Sequence, residues 1–349
     1  MKHFWYHLMR IYVKTGLFFL IKKITVHGRE NIPKKGAIIF IGNHQNALID
    51  AILIPTTTSR NIHFLARASA FKNNLANKIL RSLNMIPVYR IRDGVHQMGK
   101  NFEVFEQCIE ILQQKKAIQI FPEGEHHLQR KVLPFKKGFT RIIEGALKKY
   151  PELAIQIIPV GINYDSHLNF PCSTSIYYGK PILANRFFDF NKKTLNYHDI
   201  LKSTSDELKK LTLHVNNDLE YETTIKILEN NNIDYLNPIK GNEMIKNIKL
   251  LSKVQKIKTN HINWFYPLHL LAKINSIFPL IIWKYLKQNI KEVIFSHTFR
   301  FAVITTLFPL FYSLQAVVVY YFFNFRYALI YFTMSIVLSL ITTKTSIVR

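Results

Sequence analysis

The sequence predicts an α/β domain, a mixed sheet flanked by helices, followed by accessory helices and then by apolar helices built for a membrane. Three observations predict it. From Ile24 to Ile182 short β-branched runs alternate with amphipathic stretches. From Ala184 to about Asn260 the strand pattern stops, and Lys, Asn, Glu and Leu take over. Farther on, Phe301 to Phe325 carries no charge at all and is long enough to cross a hydrocarbon core as a helix.

The elements follow in order. Phe4, Trp5, Leu8, Ile11 and Tyr12 with the run Gly16–Ile21 suggest an amphipathic helix over residues 1–23, either interfacial or packed on a core. The run is short for a secretory leader, and no small-residue cleavage pattern follows it. Strands are expected at Ala37–Ile41, Ile62–Ala66, Ile86–Tyr89, Ala117–Phe121, Ile155–Ile162 and Ile176–Tyr178. Helices are expected to start at Ala47 and to cover Phe71–Leu83, Asn101–Lys116 and Gly138–Lys149. In the third of these, Phe102, Phe105, Cys108, Ile109 and Leu112 fall on one face, so Cys108 reads as core. Ile239 to Lys258 carries a Lys every few positions, suited to anionic headgroups or to plain solvation. Trp264 to Trp283 reads as interfacial or re-entrant because Lys273 interrupts it. The uncharged runs 301–325 and 327–343 suggest a hairpin turning at Asn324–Arg326. The domain boundaries implied are 1–23, 24–185, 186–260 and 261–349, with a transmembrane hairpin over 301–343.

Composition narrows the partners. Lys plus Arg number 47 against 22 Asp plus Glu, a net charge of +25. That excess attracts polyanions: nucleic acid, an anionic membrane or phosphorylated substrates. The 26 Phe, 17 Tyr and long uncharged runs favour the membrane over nucleic acid. Lys and Arg dense between Lys284 and Arg300 set that side of the membrane in the cytoplasm. Cys108 and Cys172 have neither disulfide-framework nor metal-site spacing, and a reducing compartment is the plain reading.

The chemistry sits where strands end. His44, in Asn43-His44-Gln45-Asn46, follows one strand; Asp50 lies six residues on. In a regular helix that separation is roughly 240° in projection, so a His–Asp contact needs a non-helical step, which the Asn-rich turn can supply. Joined, the imidazole can take a proton from an alcohol while the carboxylate holds its tautomer. No Gly-x-Ser-x-Gly elbow exists, so the dyad lacks a nucleophile of its own and suits direct attack by a substrate hydroxyl. A structural turn histidine is the alternative. Phe121-Pro122-Glu123-Gly124 follows a second strand, offering a carboxylate for hydroxyls and a glycine for close backbone approach, or else only a surface turn. Arg90, ending Pro87-Val88-Tyr89-Arg90, has the fork that grips phosphate.

These blocks, with Ile158–Ile162, stand in the order found in the phospholipid/glycerol acyltransferases, and from Gly28 to Ile182 the chain resembles that family. The resemblance implies His44 as general base with Asp50 its partner. It implies Asn43 as a substrate-binding residue, Arg90 on the acceptor's phosphate, and Glu123 with Gly124 on its glycerol part. Lys136, with Lys137 beside it, lies where the family often has a basic residue and is a further substrate contact, through phosphate; plain solvation of both is the alternative. The implied donor is an acyl-CoA or acyl-carrier-protein thioester attacked without an acyl-enzyme, with no metal and no prosthetic group. The implied acceptor is glycerol 3-phosphate or its 1-acyl derivative, at the cytoplasmic face of the cell membrane. Another lyso-lipid (an aminolipid or lipid A type) is the alternative acceptor, and a non-catalytic basic membrane-binding or nucleic-acid-binding protein the alternative of another class. Two departures stand out. Five residues separate His44 from Asp50 where the family usually has four, and Glu125-His126-His127 follows the third block where Thr-Arg-Ser is common. His126 and His127 read as loop residues.

Overall fold

The computed structural model describes residues 2–89, 99, 101–216, 220–251 and 263–347. Its centre is a mixed sheet of β1 (Ile21–His27), β2 (Ala37–Gly42), β3 (Ile62–Arg67), β4 (Met85–Val88), β5 (Ala117–Ile120), β6 (Ile155–Tyr164), β7 (Cys172–Tyr178) and β8 (Ile182–Leu183). The order is β1-β7-β6-β2-β5-β3-β4, with β8 also paired to β6. Strands β6, β2, β5, β3 and β4 run parallel, whereas β7 is antiparallel to β6. A strand buried on both faces reads as an unbroken apolar run, which is how Ala37–Ile41 reads. Its side chains alternate between two cores. Ile39 and Ile41 face α4 (Asn101–Gln113) and α5 (Gly138–Lys149), through Cys108, Leu112, Phe139 and Ile143. Ile38 and Phe40 face α1 (Lys2–Leu20) and α2 (Ala47–Thr57), through Leu17, Leu20, Ile49 and Leu53.

Two expectations change here. β1 begins at Ile21, directly after α1, in a run that by composition alone continued the helix. Phe102 is 71% exposed, not core, because Asn101, Val104, Cys108 and Ile111 form the buried stripe in the first turns of α4. Cys108 is fully buried, and burial pushes its thiol up to about 12, in keeping with a core role. α3 (Asn74–Ser82), between β3 and β4, starts under an Asn73 cap whose side chain accepts from two backbone amides.

Beyond the sheet, α6 (Tyr197–Leu211) packs on β6, and α7 (Tyr221–Asn230) and α8 (Pro238–Lys246) follow. A two-stranded ribbon, β9 (Phe188–Asp189) with β10 (Thr194–Leu195), precedes α6. The helix expected over 239–258 ends with α8 and a short 3-10 turn to Leu250; residues 252–258 lie outside the described residues.

The apolar end contains α9 (Tyr266–Asn275), α10 (Ile277–Gln288), α11 (Ser296–Phe322) and α12 (Phe325–Thr345). α11, extended back to Val293, and α12 are each long and apolar enough to cross a membrane, and little of either is buried against protein. The turn falls at Phe323–Asn324, so Phe325 and Arg326 already belong to α12; the Asn324 side chain accepts from the Tyr327 amide. The 264–283 stretch is broken in two at Ser276. That break is pinned to the hairpin, since the Asn275 amide donates to Ser335, the Tyr331 hydroxyl donates to Asn275, and Ser276 pairs with Tyr312. α1 crosses α11 closely: a Cβ at Gly16 would lie 2.4 Å from a Thr305 methyl. Its opposite side keeps Phe4, Leu8, Ile11 and Phe18 exposed, so α1 is packed on one face and apolar to the outside on the other.

Candidate active site

β2 and β5 are parallel neighbours, so the loops leaving their C-terminal ends emerge side by side. Those loops carry His44 and Glu123. The His44 ring stacks on Phe121, centroids 4.2 Å apart and planes 7° from parallel. Gly42 makes room for this, because a Cβ there would lie 2.9 Å from the Phe121 ring.

The extra residue between His44 and Asp50 is absorbed by the turn. Ala47 adopts φ 39°, in left-handed territory that costs an L-residue roughly 1–2 kcal/mol. This twist swings the first turn of α2 so that Asp50 Oδ2 comes 3.1 Å from His44 Nδ1. Asp50 is fully buried and surrounded by donors. Oδ2 also accepts from the Asn46 amide at 2.6 Å, and Oδ1 accepts from the Tyr164 hydroxyl at 2.6 Å. Burial first, and then the Asp50 charge, hold the Tyr164 phenol well above its ordinary value, so it remains a donor. Three donors and no facing acceptor suit an ionised carboxylate. Nδ1 of His44 then carries the proton, and Nε2 presents a lone pair. Among the described residues no hydroxyl or thiol hydrogen-bonds that ring.

Asn43, buried, does not touch His44 through its side chain. It exchanges two hydrogen bonds with the backbone of Ile162 in β6, at 2.9 and 2.7 Å, and fixes where the β2 strand ends. Gln45 donates to the Gln129 carbonyl and accepts from His167 Nε2 at 3.2 Å. Burial, and then the Arg130 charge, hold His167 well below its ordinary value, so it is neutral.

Glu123 is 1% exposed. Its Oε2 pairs with His127 Nε2 at 3.0 Å, and its Oε1 is buried without a partner among the described residues. Gly124, at φ 72°, takes a conformation that glycine adopts freely, and Lys136 lies across it: a Cβ there would be 2.9 Å from Nζ. Lys137 instead sits over the Tyr197 ring. Arg90 lies outside the described residues.

Of four further contributors, Phe295 and Arg67 were not singled out from the sequence, and His126 and His127 were read only as loop residues. His127, besides its ion pair, donates its backbone N–H to the His44 carbonyl. His126 meets His44 edge to face at 5.3 Å, and its Nε2 is 3.8 Å from Glu292. Phe295, just before α11, packs on His126, and Arg67, ending β3, lies over the Phe295 ring at 5.5 Å. His126 and His127 do lie in the loop after β5, as read, and from there their side chains reach Glu123 and His44. The adjacent-histidine pattern was the available signal, and only the fold supplies Glu123 and Phe295 as neighbours. Among the described residues no group of three or more His, Cys, Asp or Glu is placed to hold a metal ion.

The family model described as Acyltransferase matches residues 23–163. A 1-acyl-sn-glycerol-3-phosphate acyltransferase of Borreliella burgdorferi is 28% identical over 208 residues, 59% of this chain and 73% of that protein. A probable 1-acyl-sn-glycerol-3-phosphate acyltransferase of Mycoplasma pneumoniae is 28% identical over 159 residues, 44% of this chain and 54% of that one. Glycerol-3-phosphate O-acyltransferase 2 of Saccharomyces cerevisiae is 31% identical over 113 residues, 32% of this chain but only 14% of the yeast protein. Among solved structures, a 1-acyl-sn-glycerophosphate acyltransferase from Thermotoga maritima is 24% identical, with a TM-score of 0.43 over 60% of this chain and 81% of that one. The segment matched by the family model spans β2 to β6 with both loops of the site, and over that segment the chain is similar to the acyltransferases.

Proposed function

We propose that the chain is a membrane-bound O-acyltransferase that moves a fatty acyl group from acyl-CoA or acyl-ACP to glycerol 3-phosphate or 1-acyl-glycerol 3-phosphate. The observation that carries this is the His44–Asp50 contact at 3.1 Å, with, among the described residues, no enzyme nucleophile hydrogen-bonded to the ring and no partner for the Glu123 oxygen on the neighbouring strand end. The names of the relatives supply the substrate class.

In this reading His44 Nε2 takes the proton of the acceptor hydroxyl as its oxygen bonds to the thioester carbonyl carbon. Asp50 stabilises the imidazolium formed. When the C–S bond breaks, the departing thiolate takes that proton and leaves as the thiol, so an ester and a thiol replace an alcohol and a thioester. Glu123 Oε1 accepts from a second hydroxyl of the acceptor and orients it. Lys136 and Arg67 supply positive charge for its phosphate, with Arg90 a further contact by analogy with the family. The chemistry calls for no metal or prosthetic group, and nucleic acid has no part in it. The partners are the phospholipid bilayer, the lyso-lipid or glycerol-phosphate acceptor and the donor, including acyl carrier protein.

The hairpin α11–α12 anchors the chain in the cell membrane, with the catalytic residues on the cytoplasmic side. That side is the one to which the Lys- and Arg-rich segment 284–300 leads. Membranes containing the protein, offered labelled acyl-CoA and acyl-ACP with each acceptor, should make phosphatidic or lysophosphatidic acid, and His44→Ala should not. No product from folded protein with any acceptor sinks the proposal; acylation of a different lyso-lipid alone corrects the acceptor. Carbonate washing should leave the full chain in the membrane, and its release would replace spanning by peripheral attachment.

A further inference from the structure

A basic cavity opens at the opposite edge of the sheet from His44 and Glu123. It measures about 650 Å³ and lies where β2, β3 and β5 begin, whereas His44 and Glu123 stand where β2 and β5 end. Six residues of β2 separate the two edges by roughly 20 Å. Lys34, Lys35, Arg60, Lys115 and Lys116 line it, and no carboxylate does.

Those cations come from separate loops that a buried side chain binds together. Arg60, 8% exposed, donates to the carbonyls of Pro33 at 2.9 Å, Gly36 at 2.6 Å and Lys115 at 2.9 Å. Gly36 and Lys115 both have positive φ, at 98° and 55°, so the two lysine-bearing turns are bent back toward the guanidinium. Gly36 takes this freely; Lys115 does so at a cost of roughly 1–2 kcal/mol. Solvated lysines on a convex surface repel and spread. Here the backbone gathers them around a concavity, which creates a local field that attracts an anion.

The neighbourhood says what kind of anion. Tyr6 and His7 of α1 form one wall, and Asn84, just after α3, is part of another. Trp5 Nε1 donates to Ser82, tying α1 to α3. Around these, Phe4, Leu8 and Ile11 of α1 and Leu75 and Ile79 of α3 are exposed. Ten residues along α1, or about 15 Å, Gly16 packs on α11, so α1 connects the cavity to the base of the apolar hairpin. A basic hollow edged with exposed apolar side chains matches a molecule with a charged head and a greasy body.

We propose that this cavity binds the phosphate headgroup of an anionic phospholipid, with its acyl chains lying along the exposed apolar sides of α1 and α3. The site is separate from the catalytic one and independent of which acceptor is acylated. It would hold α1 flat on an anionic leaflet beside the hairpin and favour membranes rich in acidic lipid.

The test uses the full chain in nonionic detergent, titrated with dihexanoyl phosphatidylglycerol and followed by native mass spectrometry. Wild type should bind it well above dihexanoyl phosphatidylcholine. Lys34→Gln/Lys35→Gln/Lys115→Gln/Lys116→Gln should bind it roughly tenfold or more weakly, as expected for losing a charge-assisted contact. His44→Ala should bind it as wild type does. Lys34→Gln/Lys35→Gln, which touches no loop-fixing hydrogen bond, should show part of the loss and guards against misfolding of the fourfold variant. Equal binding by the fourfold variant, or equal binding of the choline lipid, overturns the proposal. Displacement of the lipid by inorganic phosphate at equal concentration assigns the cavity to free phosphate and overturns the lipid assignment. Because binding is read and not transfer, failure here leaves the acyltransferase reading untouched.

Discussion

Replacing Asp50 by Asn isolates the charge in the proposed His44–Asp50 dyad. The carboxylate accepts from His44 and Asn46 on Oδ2 and from Tyr164 on Oδ1. An amide can serve this set only with its oxygen toward His44 and Asn46 and its NH2 toward Tyr164, whose hydroxyl can turn to accept. The His44 tautomer then survives, and what is lost is charge. Opposite charges 3.1 Å apart attract by about 5 kcal/mol at an effective dielectric of 20. Allowing for the partial exposure of His44, about 3–5 kcal/mol of stabilisation disappears whenever the imidazolium forms. Asp50→Asn should therefore lower kcat roughly 10²–10⁴-fold with little change in acceptor KM. The assay is release of free CoA thiol under saturating acceptor, alongside thermal unfolding to confirm the fold. A kcat within tenfold of wild type, from folded protein, would refute the claim that Asp50 stabilises a protonated His44.

Three further outcomes are expected. Ala47→Gly relieves the left-handed φ and should keep kcat within about twofold, whereas the branched Ala47→Val should displace Asp50 and lower kcat tenfold or more; equal rates for both would mean the twist is irrelevant. Glu123→Gln should raise acceptor KM about tenfold while leaving thiol release by hydrolysis unchanged, since it alters a hydroxyl contact and not the base; an unaltered KM removes Glu123 from the acceptor site. His167 has a free-solution value near 6.5 and a lower one when folded, so the unfolded chain takes up the proton first as pH falls. Its contribution is complete above pH 6.5 and drains below it, and His167→Gln should flatten the fall in unfolding free energy, followed by urea titration, between pH 6.5 and 5 by up to about 1.4 kcal/mol per pH unit; an unchanged slope discards it.

What the sequence disclosed, and what it withheld, follows from the range of the forces involved. Strands such as Ala37–Ile41 are written in local pattern, because burial on both faces demands an unbroken apolar run. The helix over Gly138–Lys149 is equally local, and its bounds agree with the pattern residue for residue. The His44–Asp50 contact was legible only as a requirement for a non-helical step. The Asn-rich turn pointed to the place, yet the positive φ falls on Ala47, a residue that advertises no such conformation. Asn43, expected beside the substrate, spends both polar atoms on β6, a partner 119 residues away. His126 and His127 acquire meaning through Glu292, Phe295 and Glu123, which no local periodicity brings near. β1 was hidden because Ile21 ends an apolar helix and begins a strand with no breaker between.

The join of α1 to β1 also depends on a late part of the chain. Lys344 Nζ donates to the carbonyls of Phe18, Ile21 and Lys22, and Thr343 donates to that of Phe19. Those of Phe18 and Phe19 are among the carbonyls that a helix end leaves without partners, and those of Ile21 and Lys22 open β1. A ribosome making this protein releases α1 more than three hundred residues before the side chains that finish it. During that interval the first helix has a frayed end and an uncovered apolar face, and contacts of such range form slowly. A chain that stops short of α12 therefore lacks the clasp that holds α1 against β1.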